Sequence, residues 1–138
     1  MVRAFTVLTL ILAVLALSIQ PAAATTSRIT LNSAVVLSAS LTTVIVTGTI
    51  VCQDEAQIDI QIHQTRHRET TEAVAYRPEM PCTGQAEAWT LALTVQPDAG
   101  GGTTFKKGPA DAAVIAYGAD GSSFLFGFIQ RVKLESEG

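Results

Sequence analysis

The chain has 138 residues, is 48% hydrophobic and only 15% charged, and carries a formal charge of −3. That length suits one domain with a single core. The mild acidity argues against nucleic acid or an anionic membrane surface as a partner.

Residues 1–24 read as a secretory signal peptide. Arg3 supplies the positive start, residues 4–17 form the apolar run, and Ser18, Gln20 and Pro21 break it. Ala22, Ala23 and Ala24 give the small residues that signal peptidase accepts, so a cut after Ala24 is expected. The run is short for a membrane span of roughly 20 residues. A lone helix ahead of the domain is therefore expected in the uncut chain, and a secreted domain over 25–138 after cleavage, with no membrane contact. Loss of Arg3 with the leader takes the charge from −3 to −4. The first cysteine is Cys52, so no lipid anchor is expected at the cut, and Asn32-Ser33-Ala34 is not a glycosylation acceptor.

From residue 29 onward the hydrophobic period is two, not 3.6. Residues 29–31 and 34–39 make a first, broken strand. In 43–52, Val44, Val46, Ile50 and Cys52 share one face and Thr43, Thr47 and Thr49 the other. Gly48 lies in the apolar row, where a missing side chain admits a large neighbour. In 56–63, Ala56, Ile58, Ile60 and Ile62 alternate with Gln57, Asp59, Gln61 and His63, the pattern of an antiparallel strand wet on one side.

His63 and His67, the only two histidines, stand four apart. On a helix that spacing can share a metal ion; on a strand it separates the rings by roughly 13 Å, too far for one zinc. The strand reading prevails, with 64–68 as a hairpin tip and 70–76 as the returning strand. A tightly bent tip is the one geometry that would still bring the rings together, and the sequence offers no obvious third ligand.

Residues 87–95 alternate again, with Trp89, Leu91, Leu93 and Val95 inward. Residues 96–107 read as a loop, in which Gly100-Gly101-Gly102 serves as a flexible connector. Residues 112–117 form a small-residue strand, Asp120-Gly121 signals a hairpin turn, and 123–134 form the last strand. There, Phe124, Phe126 and Phe128 are expected on one face, Leu125 and Ile129 on the other. The sum is all-β: an antiparallel sandwich of about seven strands. In an exported chain, the two cysteines, Cys52 and Cys82, are expected to form one structural disulfide.

The order Thr47-Gly48-Thr49-Ile50-Val51-Cys52, an alternating strand ending in Gln64, Pro81-Cys82-Thr83-Gly84 followed by Trp89, and Lys107-Gly108-Pro109-Ala110 resembles small exported immunoglobulin-like domains of high-GC Gram-positive bacteria. The resemblance spans about residues 43–118. It implies a single-disulfide immunoglobulin-like β-sandwich and carries no activity with it. A looser likeness of shape to the neocarzinostatin-type chromophore-binding sandwich stops at the cysteines, since that pattern has two disulfides.

No catalytic set assembles from the sequence. No serine stands in Gly-x-Ser-x-Gly, and His63 with Asp59 repeats the wide i, i+4 strand spacing. Asp54-Glu55 and Glu69 with Glu72 read as solvated carboxylates. Asp98, Asp111 and Asp120 are loop oxygens that calcium accepts, without EF-hand spacing. No catalytic, cofactor or metal residue is therefore assigned. Loops on a rigid frame remain the places where recognition is expected: the tip Arg66, His67 and Arg68, and the 96–109 loop with Phe105, Lys106 and Lys107. Phe105 reads first as a plug closing the core, and Leu125 with Ile129 as a surface for self-association. The expected function is a secreted, non-enzymatic binding domain for an extracellular protein or small molecule. The alternatives are a protease inhibitor presenting 96–109, and last a small hydrolase or metal-dependent enzyme.

Overall fold

The cleanest alternation in the sequence forms the central strand. In the computed structural model, which describes residues 28–53, 55–118 and 124–137, Ile58, Ile60 and Ile62 are fully buried and the residues between them half-exposed. Burying each isoleucine contributes about 2 kcal/mol. The leader, Asp54 and the Asp120-Gly121 turn lie outside the described residues.

Among the described residues eight strands follow in chain order: β1 (Arg28–Leu31), β2 (Ala34–Leu37), β3 (Thr43–Val51), β4 (Ala56–Arg66), β5 (Glu69–Arg77), β6 (Glu87–Val95), β7 (Gly108–Gly118) and β8 (Phe124–Ser136). The expected broken first strand is β1 with β2. Both pair with β3, β1 at residues 48–51 and β2 at 44–45.

Strand pairing is continuous around the molecule: β3–β2–β8–β7–β4–β5–β6 and back to β3, a closed barrel of seven strands with β1 added to β3. The expected pair of separate sheets is not what the hydrogen bonds draw. Two short seams make the closure, β2–β3 and β5–β6, each with two paired positions, against eight for β3–β6 and nine for β4–β5. The pairing is antiparallel except between β2 and β8, which run parallel: seven strands cannot alternate in direction all the way around a closed ring.

The barrel interior is filled from every strand. Val44, Val46 and Ile50 of β3 meet Trp89 and Leu93 of β6, and Val114 of β7 and Leu134 of β8 complete the layer. Gly48 stands directly opposite Trp89 in the β3–β6 register. A Cβ at Gly48 would lie 2.8 Å from the Trp89 ring and 1.9 Å from the Thr30 carbonyl oxygen. The missing side chain thus admits both the indole and the backbone of β1. The Cys52–Cys82 disulfide forms as expected, with Cα atoms 4.7 Å apart, and ties the end of β3 to the segment leading into β6. A bridge enclosing about 30 residues removes roughly 3–4 kcal/mol of unfolded-state entropy in the chain-entropy model.

Three local expectations change. Pro97–Gly100 is a one-turn helix, α1, where a loop was expected. Proline suits the first helical position, and left-handed Gly101 ends the turn by donating its N–H to the Pro97 oxygen. The glycine run is a packed contact instead of a flexible connector: a Cβ at Gly102 would lie 2.2 Å from the Thr71 hydroxyl. The third change is in β8. The β7–β8 register slips between Ala116 and Tyr117, which pair with Phe126 and Phe124, so Leu125 is an extra, bulged residue. The slip moves Phe124 to the outer face, edge-on to Tyr117 with ring centroids 6.5 Å apart, while Phe126 and Phe128 pack against the core.

Candidate functional site

The β4–β5 hairpin turns through two residues, His67 (φ 51) and Arg68 (φ 67), both left-handed. That is the backbone of a type I′ turn, which favours Asn-Gly and costs other residues about 1 kcal/mol or more each. Replacing the pair with His67→Asn and Arg68→Gly should therefore raise stability by about 1 kcal/mol, a rise in melting temperature of about 4 °C or more, measured by thermal unfolding. An unchanged or lowered melting temperature would show that the side chains offset the strained turn.

The 96–107 segment is fastened to this hairpin. Gln64 is 4% exposed, a polar side chain inside the barrel end. Its Nε2 donates to the Lys106 oxygen at 2.8 Å and the Pro109 oxygen at 3.2 Å, while its Oε1 accepts the Lys106 N–H at 2.8 Å. Thr71 donates its hydroxyl to the Thr104 oxygen at 2.9 Å, and Arg66 donates to the Lys107 oxygen at 2.6 Å. On the far side, the Phe105 N–H donates to the Leu41 oxygen at 2.8 Å. Three connections thus meet at one end of the barrel.

The candidate residues divide accordingly. Phe105 is fully buried and is the core plug, not a contact residue. Arg66 is exposed but its guanidinium is held by the Lys107 carbonyl. His67, Arg68, Lys106 and Lys107 are exposed. Arg66, His67 and Lys106 line a cleft of about 220 Å³ with Gln64, Thr71, Thr104 and one acid, Glu69. The sequence named both basic loops but put Gln64 in the 64–68 hairpin tip; β4 instead runs on to Arg66 and buries Gln64, whose partners lie 42 and 45 residues away.

The histidines stay apart in role. His63 lies on the outer face of β4, with Nδ1 3.8 Å from a Glu72 carboxylate oxygen and Nε2 3.1 Å from the Gln61 amide oxygen. Beside it, Asp111 and Arg131 form an ion pair at 3.5 Å, so a polar row of Glu72, His63, Asp111 and Arg131 crosses the sheet. Among the described residues, no three His, Cys, Asp or Glu side chains are grouped to hold a metal ion, and no hydroxyl or thiol bonds either histidine. No helix among them is long and apolar enough to cross a membrane.

Comparison with models of protein families and with curated proteins found no match. Among solved structures, the periplasmic chaperone SfaE is similar over 80% of this chain and 56% of that chain, at 11% identity and a TM-score of 0.37. The chain therefore spans just over half the length of that structure, and a likeness at this level carries no argument about function.

Proposed function

We propose that this chain is an exported, non-enzymatic binding domain with an immunoglobulin-like sandwich architecture, and that its barrel-end cleft takes an anionic group of an extracellular protein or small molecule. In this reading the long-paired strands form the two layers and the two short seams are the places where the layers touch. One observation carries the assignment: Arg66, His67 and Lys106 surround a cleft whose wall is set in advance by Gln64 and Thr71. A wall fixed in advance, with the Arg66 guanidinium already held by the Lys107 oxygen, loses little freedom on binding, which favours recognition over an unstructured basic loop. The inhibitor reading draws less support, because Phe105 is buried and the Lys106 N–H is already bonded.

The test uses protein recovered after export, titrated calorimetrically with sulfate and with a short acidic peptide. Binding to one of them is expected, weakened about 10-fold or more by Lys106→Glu, a charge reversal in the cleft lining, while circular dichroism stays unchanged. Absence of binding to both probes, together with nothing retained from culture supernatant, would remove the proposal. Binding that survives the charge reversal would move the site elsewhere.

A further inference from the structure

β8 is a strand with half of one edge uncovered. Along one side it pairs with β7 from residue 124 to 134. Along the other it pairs with β2 only over residues 133–136. The Lys133 N–H donates to the Ser33 oxygen, so it points to the β2 side. Backbone groups in a strand alternate in direction. The register is unbroken between Phe126 and Leu134, so Gly127, Ile129 and Arg131 point their N–H and C=O the same way, where no described strand pairs with them; the end of β1 comes near only at Gln130, whose Nε2 donates to the Leu31 oxygen at 3.0 Å.

Natural edges are guarded by charge, proline or distortion. The span 124–130 has no charged residue and no proline. The Leu125 bulge marks one end of it and the Gln130 bond to Leu31 the other, leaving Phe126 to Ile129 regular and unpaired on this side. The outer face here is apolar: Ile129 is 78% exposed and Phe124 64%. The Phe124 ring lies over Gly127, 3.5 Å from where a Cβ would stand.

We infer that this edge pairs with the same edge of a second copy, antiparallel about a two-fold axis at Phe128. An axis there places Gly127 opposite Ile129 of the second copy, and the reverse, with both pairs directing their backbone groups across the seam. The protruding isoleucine of each copy then lies on the Phe124 ring above the other's glycine. A knob and a notch two residues apart are what a two-fold contact requires, since each copy must supply both. The two Arg131 side chains start roughly 20 Å apart in this register, beyond the screening length of about 10 Å. This contact lies on a different part of the molecule from the barrel-end cleft and does not depend on it.

Sedimentation velocity on the exported protein tests the pairing. A dimer is expected at about 100 μM. Ile129→Lys, at an exposed position, and Ile129→Pro, which removes an N–H that faces outward, should each weaken association about 10-fold or more. Tyr76→Lys, 53% exposed on β5, should leave it intact. Retained circular dichroism separates loss of pairing from loss of fold. A monomer at every concentration would overturn the inference, and that is the result if residues 1–27 or nothing at all cover the edge. Open-ended assembly, a different protein bound in place of the second copy, or a dimer indifferent to both Ile129 variants would overturn it equally.

Discussion

Phe105→Ala is expected to destabilise the domain by about 4 kcal/mol, as removal of a fully enclosed aromatic side chain does when its surroundings cannot collapse. Collapse is restricted here because the backbone on either side is tied down. The Phe105 N–H is bonded to Leu41, the Lys106 N–H to Gln64, and the Thr104 oxygen to Thr71. Chemical denaturation measures the loss. Native-state hydrogen exchange should show the 102–107 amides opening first, and the cleft lined by Lys106 should lose its shape with them. A loss below about 1 kcal/mol would mean that the ring is a surface lid and not a plug.

Gly48→Ala is expected to cost about 3 kcal/mol or more, although it adds a single methyl group. The nearest obstacle is the Thr30 carbonyl oxygen, 1.9 Å from the new Cβ, and a backbone atom cannot rotate away. β1 must leave β3, which strips the Arg28–Leu31 pairing. A second substitution separates the two obstacles. Trp89→Phe shortens the ring but leaves Thr30 in place, so the Gly48→Ala, Trp89→Phe double variant should recover little of the loss. Full recovery would show that the indole, and not β1, sets the need for glycine.

These two positions also show what the sequence carries and what it does not. Gly48 was legible because it interrupts an apolar row, and strand periodicity then demands that something large fill the gap. The isoleucine alternation of β4 and the inward Trp89 were legible for the same reason: side chains repeat every second residue whatever the rest of the chain does. The Leu125 bulge was not. It depends on a one-residue mismatch between β7 and β8, and neither strand alone records it. Nor was the burial of Gln64, a residue that joins the wet face by its chemistry and the dry face by its position. Its three bonds come from a segment more than 40 residues on. The single helical turn of α1 escaped because glycine and proline, read as breakers, here open and close one turn. Closure of the barrel rests on two pairs of contacts at each seam, below what any local pattern encodes.

Trp89 is the one tryptophan of the chain, 3% exposed, and its Nε1 has no hydrogen-bond partner among the described residues. An indole shielded from water in this way emits at shorter wavelength than a wetted one. Its fluorescence therefore reports a single place, the meeting point of β3 and β6, without any label. Unfolding of that junction can be followed optically while the barrel end, which holds no second tryptophan, stays silent.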